Sequence, residues 1–426
     1  MTTLKREFGK WDMVFLIING IIGAGIFGLP AKIYALSGFW SLAAMVLCAA
    51  IIFCVVLVFA EVSSQFKNTG GPYLYVYQTL GPLFGFFVGW LLFISRIATY
   101  AALVNLLVTY LSFFSHVFEQ TYVRILTIAL VTFFLFLLNY RGVKNAKLAS
   151  NLLTITKLSA LFLFIAVGIF YIDKDLILRH REIPSISNLS SSILVLVFAF
   201  TGFEAILVNT GEVKNPKKTI PFALVVSIII VATFYLLIQF VCMGTLPDLA
   251  SSNKPLAEAA YEFSGVWGGS LISLGALFSI LGTLHSIVLI GSRVPFAMSK
   301  KKQLPKMFGK LNPKTSTPNL SIIIFSVLVL LVSISNTFYY ALGLSVITKV
   351  MIIFMTSLTL IKLRQKGFRD SHIFRVKGGV AFAIFVMLIS LWLLSNSNTS
   401  EFISVMIALV VGVLIYFITD KISKKA

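Results

Sequence analysis

The chain has 426 residues, of which 58% are hydrophobic and only 12% charged, with a mean hydropathy of +0.97. Soluble domains carry about 25% charged residues, so roughly half the usual charge is missing and a soluble globular fold is excluded. The net charge of +20 raises nucleic-acid binding as a rival, which the distribution of that charge argues against below.

A helix needs about 20 predominantly apolar residues to cross a bilayer. Twelve segments qualify, at about 12–34, 39–62, 83–113, 122–139, 149–172, 189–209, 219–244, 267–297, 319–335, 338–362, 378–395 and 400–419. Unbroken apolar runs such as Leu42 to Ala60 indicate helices, because barrel strands alternate. The expected fold is therefore an all-α membrane protein with twelve transmembrane helices. The first segment, about 23 residues long, exceeds the h-region of a signal peptide, and no small-residue cleavage site follows it.

That first segment contains Asn19-Gly20-Ile21-Ile22-Gly23-Ala24-Gly25-Ile26-Phe27-Gly28-Leu29-Pro30, with four glycines in nine residues. Each glycine costs about 1 kcal/mol against alanine inside a helix. Backbone polar groups freed in hydrocarbon are tolerated only where protein or a wet cavity satisfies them. A break here implies a polar guest, and a half-helix starting near Gly25 would aim its N–H groups at a carboxylate. Close helix packing on small residues is the alternative reading. The second segment holds Cys48 and Cys54 and the seventh Cys242; these read as small buried hydrophobes, not as a disulfide framework. Gly70-Gly71-Pro72-Tyr73 to Gly81-Pro82 breaks the chain before the third segment.

The sixth segment repeats the theme in Phe198-Ala199-Phe200-Thr201-Gly202-Phe203-Glu204-Ala205, a glycine beside an ionisable residue at mid-depth. Carbonyls released at Phe198, Ala199 and Thr201 would accept from an ammonium group. Amide donors on one helix and carbonyl acceptors on another suit a zwitterionic α-amino acid better than a polyamine or a sugar. The two interrupted segments stand five helices apart, and an odd offset reverses orientation. The expected organisation is a single transporter domain: one five-helix repeat over 12–175, its inverted copy over 189–362, and two accessory helices over 378–420. The loop 245–266 contains Pro255 to Phe263, a candidate amphipathic cap over a vestibule.

Four cations fall inside the segments: Arg96, Lys157, Arg293 and Lys349. A central Lys or Arg costs about 2.5–3.5 kcal/mol on insertion scales, so each needs a partner or a task. Arg293 is close enough to a basic loop to snorkel. Arg96 and Lys349 would pair with Glu204 or Glu61 or cap neighbouring carbonyls; were either to face the cavity, an acidic substrate side chain would suit it. Glu204 is a candidate gate or fold residue. His285, midway along the eighth segment, reads as a core histidine or a proton relay.

Assigning alternate loops to two faces puts 25 Lys and Arg on the face of the termini and six on the other. This is the positive-inside pattern, with both termini cytoplasmic. The basic charge is topological, so nucleic acid is not an expected partner.

Taken together, these motifs resemble the amino acid–polyamine–organocation permeases over nearly the whole chain. The resemblance is carried by Gly23-Ala24-Gly25-Ile26-Phe27, by Ala60-Glu61 with Gly70-Gly71-Pro72-Tyr73, and by Arg293 to Leu304-Pro305. It is most specific in Phe198 to Glu204 followed by Glu212-Val-Lys-Asn-Pro-Lys-Lys-Thr-Ile-Pro221. It implies a five-plus-five inverted repeat with discontinuous first and sixth helices and alternating access. The substrate carboxylate would meet backbone at Ile22, Gly23, Ala24, Gly25 and Ile26, its amine would meet Phe198, Ala199 and Thr201 beside Gly202, and Phe203 would be a lid aromatic. Where the family often has Asn-Gly in helix eight this chain has His285-Ser286, which leaves the side-chain pocket open. A lysine on helix five resembles that of proton-coupled members. Lys157 would place its ammonium against first-helix carbonyls near Gly23, where sodium-driven relatives hold their cation, and a desolvated ammonium releases its proton more readily; snorkelling is the alternative.

The implied protein is a secondary active amino acid transporter of the plasma (cytoplasmic) membrane, a proton symporter or else an exchanger. Its expected partners are an amino acid and the bilayer, with no obligate protein partner; the proton is the expected coupling ion in preference to sodium, and no other cofactor is expected. An intramembrane enzyme is disfavoured: the four histidines form no His-Glu-x-x-His, and neither a metal cluster nor a nucleophile elbow is visible. A channel would want a repeated filter or a pore ring.

Overall fold

The computed structural model describes residues 8–23, 25–66, 70–141, 146–179, 181–207, 213–312, 317–335, 338–367 and 374–425. Ala24 and Glu212, the loop cations Lys5, Arg6, Lys67, Lys144, Lys314 and Arg369, and His180 and His372 lie outside the described residues.

The described residues are predominantly helical: α1 (Lys10–Ile21), α2 (Gly25–Ser37), α3 (Ser41–Ser64), α4 (Gly71–Leu80), α5 (Pro82–Leu111), α6 (Thr121–Arg141), α7 (Ala146–Gly168) and α8 (Lys174–Ile177) come first. There follow α9 (Ile186–Phe200), α10 (Phe203–Ile206), α11 (Pro216–Thr245), α12 (Pro255–Lys300), α13 (Asn319–Ser335), α14 (Phe338–Lys366), α15 (Gly379–Ser395) and α16 (Thr399–Lys425). Each of the twelve apolar segments falls on helix. Seven helical stretches among the described residues are long and apolar enough to cross a bilayer, and four more are shorter apolar helices of 10–17 residues.

Two of those segments are not continuous. The first is split into α1 and α2, and the sixth into α9 and the single turn α10. The expected cap over 255–263 is helical and is set off from the span that follows it by a kink at Gly265, whose φ of 60° and ψ of −156° only glycine adopts without strain, so α12 is two helical pieces. The glycine-flanked stretch before the third segment forms its own helix, α4, which packs on α5.

Burial sorts the helices into a centre and a periphery. The most apolar stretch of α5 is 89% buried, against 17% for α6 and for α16. α5 packs against α12, α13 and α14, while α11 packs against α1 and α3. The outer faces expose large apolar side chains such as Phe133 and Phe134 on α6 and Leu414, Phe417 and Ile418 on α16. Water would penalise so much contiguous apolar surface; lipid does not. Peripheral α16 is tied to the centre by Trp90 of α5, whose indole Nε1 donates to Ala408 O at 2.7 Å. The ring sits where a Cβ on Gly412 would approach it within 2.5 Å.

Candidate functional site

The two breaks lie against each other. α1 ends as the Ile22 N–H donates to Ile18 O and the Gly23 N–H to Ile21 O, both at 2.8 Å, and the chain restarts as α2 at Gly25. The leading N–H groups of α2, from Gly25 and Ile26, have no acceptor within the helix. α9 ends at Thr201, whose N–H and hydroxyl both reach Val197 O, at 3.0 and 2.8 Å. Gly202 then takes a φ of +132°.

Main chain meets main chain across this junction. A Cβ on Gly202 would fall 2.2 Å from Gly20 O, and one on Gly25 would fall 2.8 Å from Ala199 Cα. Tyr235, on α11 and fully buried, donates its hydroxyl to Ala199 O at 3.0 Å and reaches Ile21 O at 3.4 Å, so one phenol spans both breaks. The Thr201 hydroxyl also reaches Phe198 O, at 3.2 Å. Phe203 is buried and meets Phe59 of α3 edge-on, with centroids 5.3 Å apart.

Lys157, 1% exposed on α7, donates its ammonium to Ile22 O at 2.8 Å and approaches Asn19 O at 3.4 Å. It therefore does not snorkel: the nitrogen ends on main-chain carbonyls at the end of α1. Arg96 of α5 pairs with Glu204 Oε1 at 3.0 Å, both side chains buried, while Glu204 Oε2 accepts the Gly202 N–H at 2.7 Å. Glu204 thus fixes the turn after α9 and is itself held by the central helix. Lys349 of α14, 3% exposed, stands over the Phe198 ring with its nitrogen 4.7 Å from the centroid.

Not every candidate converges here. Arg293 is exposed. The half-buried His285 faces α6, where the Asn139 side-chain amide lies 3.3 Å from its Nδ1; the residue of α12 beside Gly23 is Thr283 instead, 3.5 Å from a Cβ built there. Glu61 turns to Arg364, which grips it through Nε and an η-nitrogen at 2.7 and 2.8 Å. The Val376 N–H donates to the same carboxylate at 2.9 Å, so α3, α14 and the entry to α15 close on one buried charge.

Sequence reasoning missed Tyr235 and Thr283. A tyrosine inside an otherwise apolar run was the available signal, since a buried phenol seeks a partner. Thr283 carried no signal of its own. A separate cavity of about 750 Å³ lies beyond the end of α5, lined among others by Thr109, Ser112, Arg124, Asp248, Lys254 and Glu258. It lies under the start of α12, where the cap was expected. Tyr110 of α5 donates its hydroxyl to Phe27 O of α2 at 2.6 Å.

At this buried junction two interrupted apolar helices meet through their main chains inside a multi-pass membrane protein, and the class to which that protein belongs is the membrane transporters, not the enzymes. Residues 8–425 match the amino acid permease family, and the chain belongs to it. It is similar to the serine/threonine exchanger SteT of Bacillus subtilis, at 31% identity over 75% of this chain and 74% of that protein. It is also similar to the branched-chain amino acid permease BcaP and to a methylthioribose transporter of the same organism, each at 26% identity over 98% of this chain and 94% of the relative.

Proposed function

We propose that this permease is a secondary active transporter that carries an α-amino acid together with a proton. The observation that carries the reading is the Lys157 ammonium on Ile22 O at 2.8 Å, at the interruption of α1. In this reading the amide groups of Gly23 to Ile26 take the substrate carboxylate, and the carbonyls of Phe198, Ala199 and Thr201 take its amine. The helix-start donors and the freed carbonyls are what support that division. Lys157 releases its proton on one side and recovers it on the other, which alters its hold on α1 and couples the proton to the tilt of the broken helices.

The frame for this cycle is a twelve-helix, five-plus-five arrangement. α1 to α7 form the first unit, α9 to α14 its inverted copy, and α15 and α16 the appendage, with both termini in the cytoplasm of a plasma-membrane protein. A proton entering down a membrane potential contributes about 2.3 kcal/mol per 100 mV, enough for accumulation on the order of fifty-fold.

The test is uptake of labelled amino acids into proteoliposomes under an imposed pH gradient, inside alkaline. Wild-type protein accumulates its substrate above equilibrium; Lys157→Ala retains substrate binding, measured by thermal shift, but only equilibrates it. Gradient-driven accumulation persisting in Lys157→Ala would overturn the coupling role. The similarity to an exchanger favours one second reading, obligatory antiport. Empty vesicles decide between them: a symporter fills them, whereas an exchanger needs internal amino acid.

A further inference from the structure

The charges beside the α9–α10 break do not balance. Arg96 and Lys349 bring two cations, Glu204 one carboxylate, and all three are buried. Both Glu204 oxygens are already engaged, Oε1 by Arg96 at 3.0 Å and Oε2 by the Gly202 N–H at 2.7 Å. No carboxylate among the described residues comes within ion-pair distance of Lys349. Its nitrogen rests instead 4.7 Å above the Phe198 ring.

An ammonium buried within a span is costly to place and marks a functional site by default, and the partner the structure gives this one is an aromatic ring. One positive charge in excess therefore stands at Phe198, in the last turn of α9, where the proposed site takes the substrate.

We propose that Lys349 is the side-chain selector of this site, and that the substrate class is the acidic amino acids, aspartate and glutamate. The side-chain carboxylate would lie against the Lys349 ammonium, with the spare N–H groups of Arg96 as further donors, and the pair would leave the cluster neutral while the substrate is bound. The inference rests on the transport reading above but does not depend on how transport is coupled. It assigns to α14 a role in choosing what is carried.

The experiment is a competition series in proteoliposomes. Labelled L-glutamate and L-aspartate are compared with the near-isosteric L-glutamine and L-asparagine and with L-leucine, for wild type, Lys349→Gln and Lys349→Arg. Wild-type protein is expected to favour each acid over its amide by about tenfold or more, the size of one charge-assisted contact. The ratio should collapse in Lys349→Gln and recover in Lys349→Arg. Thermal stabilisation of detergent-solubilised wild type by the same five compounds decides the question even if neither variant folds. A wild type that prefers amides or leucine overturns the acidic assignment and leaves the carrier reading standing. A protein that neither binds nor moves any of the five overturns the assignment too, and the carrier reading is then examined with the wider amino acid panel.

Discussion

Gly202 and Gly23 look alike in the sequence but are held for different reasons, and substitution should separate them. At Gly202 a methyl group meets Gly20 O at 2.2 Å on a backbone already at a φ of +132°. Strain of about 1–3 kcal/mol and overpacking of similar size would add. Gly202→Ala should therefore fail to give folded protein, read as loss of the monodisperse peak in size exclusion. At Gly23 the same methyl meets Thr283 at an ordinary 3.5 Å. Gly23→Ala should keep its melting temperature near wild type while weakening substrate binding, measured by titration on the purified protein. Tyr235→Phe is the third residue-scale case. It strips the donor from Ala199 O, and an orphaned buried carbonyl costs about 1–3 kcal/mol, which a lowered melting temperature with unchanged expression would register.

Among the described helices, the Glu61–Arg364 clasp is a strong charged tie, because it is bidentate and draws in the Val376 main chain. Removing one partner of a buried pair costs about 3–5 kcal/mol, whereas replacing both with apolar groups costs far less. Glu61→Met should thus destabilise the protein severely, and adding Arg364→Met should restore most of the loss, as a double-mutant cycle in thermal unfolding would measure. This tie also marks where sequence reading stops. Where the helices run was legible from hydropathy, and the α1–α2 and α9–α10 interruptions from their glycines. Which side of each helix faces which neighbour was not. α3 is apolar all round, so its periodicity says nothing of direction, and only its docking shows that Glu61 turns to Arg364 while Glu204 takes Arg96.

For the whole molecule, the arrangement of charge makes the most direct claim. In a background with Cys48, Cys54 and Cys242 replaced, a membrane-impermeant maleimide added to intact cells should label Lys254→Cys and spare Lys301→Cys, with labelling of both after permeabilisation; the reverse pattern would invert the topology. The candidate site was legible as a set of main-chain positions on two segments 180 residues apart, since unwound helix is visible as composition. Its side-chain walls were less so: Tyr235 and Thr283 come from helices with no motif, and His285 turned out to face α6. The bare contact between Gly20 and Gly202 limits how such a protein can diversify. With neither glycine contributing a side chain there is nothing on them for mutation to trim, so altered substrate preference is expected to arise in the surrounding ring of α5, α11, α12 and α14.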